Sequence, residues 1–323
     1  MTDDAIFVMG CGRSGTTLTF ELLAGHDDLA WVPRGVHRFP RRLLLSSFAR
    51  VYHLPGLGKR LLLNGPRTRY FVGPVEPWKF WHVYLEKFIW DREGPDLPRP
   101  PVGEDITDEE VRRIRAVVGR ICRYMGRPRF LSKYADFPRM AYLKKAFPAA
   151  RFVHVLRDGR AVAQSYLRKL QSGVFHDWRL REKWVAVWPD AWRRQWHREG
   201  ESQLAFAATQ WKFWLDTIWQ EARQMPSDQY LEIRYEDLIA DPRGTTKQIL
   251  EFAGLPYTNR FRWLVEHWKF ADMNRKWRSE FTGPQKEELD RVICEDRFRR
   301  LFEEDPRAPG RVGTREPTLM GAA

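Results

Sequence analysis

Short, wholly apolar runs alternate along the chain with longer stretches whose apolar residues recur three or four positions apart. Ile6–Met9 is the first such run and reads as a strand buried on both faces. Thr16–Leu23 follows with helical spacing, and 29–32 reads as a second short strand. Segment 39–69 mixes leucines with arginines, a helix followed by a loop broken at Pro55-Gly56 and Gly65-Pro66. An aromatic-rich helix is predicted over 78–90, and the proline-rich stretch 94–103 is a surface connector. Thr107-Asp108-Glu109-Glu110 is a capping box that opens a helix running to about Met125. Further strands are predicted at 130–133, Arg151–Leu156 and 230–233. Helices are predicted at 140–147 (stopped by Pro148), from Gly159, and over 204–225 and 243–252 (ended by Gly254). Strand and helix alternate, which predicts an α/β fold with a parallel sheet whose ligands lie at the carboxyl ends of its strands.

The first strand runs into Gly10-Cys11-Gly12-Arg13-Ser14-Gly15-Thr16-Thr17. Glycines let backbone N–H groups converge on an anion, and the following helix turns its positive end to the same point. Thr16 and Thr17 add hydroxyl donors. A Walker loop would place lysine after Gly15, and here a threonine stands there. Arg13 is the cation left to serve the anion.

A second segment, Arg151 to Ser165, reads as strand, turn and helix. Arg157 falls at the strand's carboxyl end and Ser165 about two helical turns further on. A guanidinium fork and a hydroxyl so placed can meet on one phosphate.

With these two motifs the chain resembles the sulfotransferases that use 3′-phosphoadenosine 5′-phosphosulfate (PAPS). Their 5′-phosphosulfate loop is similar to Arg13-Ser14-Gly15-Thr16-Thr17, and their 3′-phosphate motif to Arg157 with Ser165 eight residues on. Tyr235-Glu236-Asp237-Leu238, with Asp241-Pro242 after it, resembles a further family segment. So does Arg275-Lys276-Trp277-Arg278-Ser279-Glu280-Phe281-Thr282, where basic residues reach the 3′-phosphate. The matches run in family order from residue 6 to about 282. The resemblance implies a P-loop-like three-layer fold, a central parallel sheet between helices with helical insertions. It also implies a metal-free, in-line transfer of the sulfuryl group from PAPS to a hydroxyl or amine, with 3′-phosphoadenosine 5′-phosphate (PAP) as product. Donor contacts are expected at Gly12, Arg13, Ser14, Gly15, Thr16, Thr17, Arg157, Ser165, Tyr235, Arg275, Lys276 and Trp277.

The general base departs from the family's patterns. The cytosolic branch places a histidine where this chain offers Tyr134, and other branches place a glutamate where this chain has Val32 to Arg38. A bacterial-type branch acting on carbohydrate or another small-molecule or lipid acceptor is expected. Glu76, between Pro74 and Pro77, and His37 are the candidate bases. Arg13, Thr16 and Lys133 are candidates to stabilise the leaving group, and of these Lys133 sits at the end of its strand. Glu76, His37 and Lys133 each have a plainer reading: a helix N-terminal acid, a surface histidine and a solvated strand-end lysine.

Composition narrows the setting. A formal charge of +13 suits an anionic ligand, and the cations are scattered rather than gathered in one arm. A solvated basic surface explains the same number. The three cysteines are widely spaced, with no disulfide or zinc pattern. The amino terminus shows no signal peptide and no apolar stretch is long enough to span a membrane, so a cytoplasmic location is expected. No nucleic-acid recognition module is present. A single domain over 1–305 is expected, with tryptophan-rich insertions near 40–125 and 173–200 and a loose tail over 306–323. Fifteen tryptophans include Trp184, Trp188, Trp192 and Trp196 at four-residue spacing, interrupted by Pro189. They suit a packed core, a subunit contact such as a homodimer interface, or an aromatic wall over the donor loop. A P-loop small-molecule kinase and a catalytically inactive nucleotide-binding homologue are the alternative functions.

Overall fold

The computed structural model describes residues 3–54, 71–91, 94–174 and 177–303, with Gly58, Leu61 and Leu63. Strands β1 (Ile6–Met9), β2 (Leu29–Ala30), β3 (Arg129–Lys133), β4 (Arg151–Leu156) and β5 (Tyr230–Arg234) form one sheet in the order β2-β3-β1-β4-β5. Every pairing is parallel. All four residues of β1 are buried, as an apolar run without alternation requires. The register sets Val8 beside Lys133, Met9 beside His154 and Leu156 beside Arg234. The carboxyl ends of β1, β3, β4 and β5 therefore share one edge, which carries the loop after Met9, Lys133, Arg157 and Tyr235. The chain leaves β1 for the outer strand β2, and β4 returns on the other side, so that edge is a switch point of the kind where open sheets bind ligands.

Local chemistry fixes most helix ends where the sequence places them. Thr107 accepts the Glu110 N–H, and the Glu110 carboxylate accepts the Thr107 N–H at 2.9 Å, starting the helix Asp108–Met125. Gly126 ends it at φ 69, a left-handed cap that glycine adopts without strain. Two predicted elements are shorter than their patterns. The strand at 29–32 ends at Ala30: Trp31 and Val32 stay buried, but Pro33 has no N–H to extend the ladder and makes only an isolated bridge to Pro74. The aromatic helix is Trp78–Tyr84, because the Glu110 carboxylate draws the Glu86 N–H out of the helix at 2.8 Å. Segment 39–69 begins as a 3-10 helix, Leu43–His53. Its Pro55-Gly56 and Gly65-Pro66 breaks, and the tail at 306–323, lie outside the described residues.

Two apolar clusters lie within the fold. One surrounds the sheet, where Phe7 stacks on Phe152 with ring centroids 5.6 Å apart. The other joins the helices Gly159–Gln171 and Gln203–Ala222 to the tryptophans. Pro189 splits the tryptophan run into Arg181–Val187 and Asp190–Arg198, and the indoles of Trp184, Trp188, Trp192 and Trp196 are all buried in this second cluster. The four are core, not a wall over the loop. The Lys212 side chain is fully buried beside them. Its ammonium lies 3.0 Å from Glu295 and 4.6 Å from the centre of Trp192, and Trp192 donates to the same carboxylate at 2.6 Å.

At Gly159 a Cβ would lie 2.7–2.8 Å from the ring of Trp211, itself wholly buried. Gly159→Ala is therefore expected to destabilise the fold by about 1–3 kcal/mol despite the better helix propensity of alanine. A lowered urea midpoint at unchanged slope checks this, and an unmoved midpoint would show that the indole has room to give.

Candidate active site

The loop after β1 is pinned from two sides. Gly10, at φ 153, lies so close to β4 that a Cβ would meet the Val155 carbonyl oxygen at 2.6 Å. Gly15, at φ 99, leaves only 2.5 Å between such an atom and the ring of Tyr235. Between them Arg13 adopts φ 74, the left-handed region. The helix Thr16–Leu23 starts at Gly15 with no side-chain cap, so its first N–H groups keep their donor capacity. Ser14 and Thr16 are buried, whereas Arg13 and Thr17 are exposed. Ser14 and Cys11 share a hydrogen bond of 2.8 Å, and burial pushes the Cys11 thiol up to about 12, which keeps it a neutral packing group. Gly12 has nothing within 4 Å of a Cβ position, so space does not explain its glycine.

Arg13, Arg157 and Ser165 meet in one network. The Arg13 Nε donates to Ser165 Oγ at 2.9 Å, and Arg157 Nη1 donates to the Arg13 carbonyl at 2.9 Å. Desolvation first, then the like charge of Arg157, lower the Arg13 pKa from its usual value. Among the described residues neither guanidinium is salt-bridged to a carboxylate. Two cations are thus held together with their charge uncompensated, the electrostatic condition for capturing an anion.

Further groups orient Arg157. Its plane lies 4.4 Å from the centre of the Tyr235 ring. It also donates to Asn274 Oδ1 at 3.0 Å and to the Met273 carbonyl at 2.7 Å. Asn274 in turn donates to Glu236 Oε1 at 2.7 Å, which also accepts the Asp158 N–H at 2.9 Å. Asn274 carries no sequence signal of its own. Glu236 sits inside the Tyr235-Glu236-Asp237-Leu238 motif but had no role attached. The residues just before the late basic segment reach this point, Met273 by its carbonyl and Asn274 by its side chain. Arg160 lies 4.6 Å over the ring of Trp277, while Arg275 is exposed and 3.4 Å from Asp272. Lys276 is exposed beside it.

Across the sheet edge, Lys133 Nζ and Glu76 Oε2 form an ion pair of 2.8 Å, and Glu76 Oε1 accepts the Ala135 N–H at 3.0 Å. The Lys133 side chain is only 5% exposed, so its solvated reading is wrong. Glu76 lies outside the helix Trp78–Tyr84, whose first turn holds no acid, so the helix-acid reading fails as well. Tyr134 is buried with its hydroxyl on Met9 Sδ at 3.2 Å. His37 lies edge-on to Trp78 at 5.3 Å, and its buried Nδ1 has no hydrogen-bond partner.

Desolvation, then Lys79 and Arg34, depress the His37 pKa, against an opposing pull from Glu76. The folded protein therefore resists protonating this ring, and the associated stability is lost as pH falls below the ordinary histidine value. In an NMR titration the His37 midpoint is expected below about 6.5, moving up in Lys79→Met. A midpoint at or above the ordinary value would contradict the burial seen here.

Residues 5–259 match the profile of the Sulfotransferase family. Omega-hydroxy-beta-dihydromenaquinone-9 sulfotransferase Stf3 of Mycobacterium bovis is 26% identical over 301 residues, covering 83% of this chain and 68% of that protein. Protein-tyrosine sulfotransferase 1 of Danio rerio is 23% identical over 261 residues, covering 79% of this chain and 54% of its own length. The crystal structure of sulfotransferase STF9 from Mycobacterium avium aligns with TM-score 0.50 and 17% identity over 94% of this chain and 77% of that one, a likeness of fold. By its sequence profile, which spans most of its length, this chain belongs to the sulfotransferase family.

Proposed function

We propose that the protein transfers the sulfuryl group of PAPS to an acceptor alcohol, and that the acceptor is an apolar, lipid-type molecule. One observation carries the donor assignment: Arg13 reaches Ser165 while Arg157 holds the Arg13 carbonyl, so loop and second motif form a single cationic site. The geometry suits the donor. Uncapped N–H groups of the Thr16–Leu23 helix, with Arg13, Ser14, Thr16 and Thr17, would hold the 5′-phosphosulfate. Arg157 and Ser165 would take the 3′-phosphate, with Tyr235, Trp277 and the exposed Arg275 and Lys276 around them.

In this reading the acceptor oxygen attacks sulfur, the bond from sulfur to the 5′-phosphate oxygen breaks, and PAP departs. The acceptor's proton passes to the Glu76 carboxylate, which Lys133 keeps aligned at 2.8 Å. The Lys133 ammonium offsets charge growing on the leaving oxygen. His37 stands behind them as a neutral second candidate. The relative Stf3 carries an omega-hydroxy-beta-dihydromenaquinone in its name. The exposed Trp78 and Phe71 near the Glu76 turn suit an acceptor of that apolar kind. The kinase alternative lacks its lysine after Gly15.

PAP binding by calorimetry tests the donor site. Wild type is expected to bind at about micromolar Kd or tighter, Arg157→Ala roughly 100-fold more weakly, and Ser165→Ala with a smaller loss. Equal affinity in wild type and Arg157→Ala would discard the assignment. With an accepted alcohol, Glu76→Gln is expected to lower kcat by about 10²-fold or more while leaving PAP affinity intact. Turnover unchanged in Glu76→Gln and lost in His37→Ala would transfer the base role to His37.

A further inference from the structure

Cations are spread along this chain, but anions are not. Between Asp28 and Glu76 there is no acidic residue, and nine lysines and arginines fall in that interval. The described part of it has a second peculiarity: large apolar side chains stand in solvent. Leu44 is 65% exposed and Phe48 59%, four residues apart on Leu43–His53. Phe39, Leu54, Phe71 and Trp78 are exposed as well. Their segments are stitched together: Gly35 N–H donates to the Phe71 carbonyl at 2.7 Å, Arg34 N–H to that of Gly73 at 2.9 Å, and Tyr84 OH to that of Pro40 at 3.0 Å. Arg34, Arg38, Arg41, Arg42 and Lys79 are exposed among them.

Apolar side chains left in water over several joined segments mark a surface with a partner. The partner's chemistry follows from what surrounds them. Guanidinium and ammonium groups on segments that hold no carboxylate before Glu76, with Arg38 over the Phe39 ring and Lys79 over the Trp78 ring, favour an anionic surface, and leucine and aromatic side chains favour one with an accessible apolar layer. An anionic lipid bilayer offers both at once. No described helix is long and apolar enough to cross a membrane, so contact of this kind would be at the interface. The face also runs through Trp78 to Glu76 and Lys133.

We propose that the surface formed by 34–54 and 71–79 docks on an anionic lipid bilayer, presenting the Glu76–Lys133 end of the site to an acceptor held in that bilayer. The second clause rests on the lipid-acceptor reading above; the docking does not. The test is co-sedimentation with vesicles of mixed phosphatidylglycerol and phosphatidylcholine, and with phosphatidylcholine alone, at physiological salt. PAP binding is measured on the same preparations as an independent report on the donor site. Wild type is expected to bind the anionic vesicles at least about tenfold better than the neutral ones. Leu44→Asp with Phe48→Asp should weaken that binding about tenfold or more while PAP affinity stays unchanged. Absence of binding to anionic vesicles overturns the proposal. So does binding that salt abolishes but the two aspartates leave intact, which would indicate an acidic macromolecular partner. Dimer dissociation on the same substitutions without vesicle binding would assign the face to a second copy. Normal vesicle binding with no PAP binding would leave the docking standing and remove the donor assignment.

Discussion

Two guanidinium groups of like charge, Arg13 and Arg157, are held in one hydrogen-bonded network, and no carboxylate among the described residues forms a salt bridge to either. Such an arrangement is unfavourable by itself, and the surrounding structure has to impose it. The sheet does so by placing β1 beside β4, so that the loop after Met9 and the residue after Leu156 emerge side by side. Gly10 allows the loop to lie on the Val155 carbonyl, and the Tyr235 ring supports Gly15 and Arg157 together. Asn274, through Glu236, fixes the remaining face of Arg157. Each of these supports comes from a different stretch of the chain. The paired guanidinium groups are therefore a product of the whole sheet edge, and an anion bound between them would relieve the repulsion that the fold maintains.

The two sides of the site differ in how they are neutralised. On the side of Arg13 and Arg157, no carboxylate among the described residues forms a salt bridge to either guanidinium. On the other, Lys133 and Glu76 satisfy each other. The pair brings opposite charges to one strand end, as the proposed proton transfer would use. The unneutralised side suits a ligand of fixed charge.

What was legible in the sequence was mostly local. Ile6–Met9, Thr16–Leu23 and Arg151–Leu156 carry their own periodicity, and Thr107 with Glu110 states a helix start in four residues. Arg13, Arg157 and Ser165 were readable because each sits at a fixed offset from a strand end or a glycine turn. What was not legible depends on partners distant in sequence. Nothing in the sequence pairs Glu76 with Lys133, and nothing around Asn274 announces that it holds Arg157. The early end of the Trp78–Tyr84 helix has the same origin, since the competing acceptor for its backbone is Glu110. The tryptophan run was ambiguous for another reason. Four-residue spacing describes a stripe on a helix and leaves open what the stripe faces, and only packing against Gln203–Ala222 resolves it as interior.

The ammonium of Lys212 has one further implication. It lies beside the Trp192 indole and the Phe298 ring with Glu295 as its counter-ion, and Trp192 donates to that same carboxylate. Detaching the segment around Glu295 would strand a positive charge in an apolar interior, and tearing away the helix Asp190–Arg198 would expose the same charge from the other side. Neither piece can come loose cheaply on its own. The carboxyl-terminal part of the fold and the tryptophan helices are thus fastened into one cooperative unit, opened together or not at all.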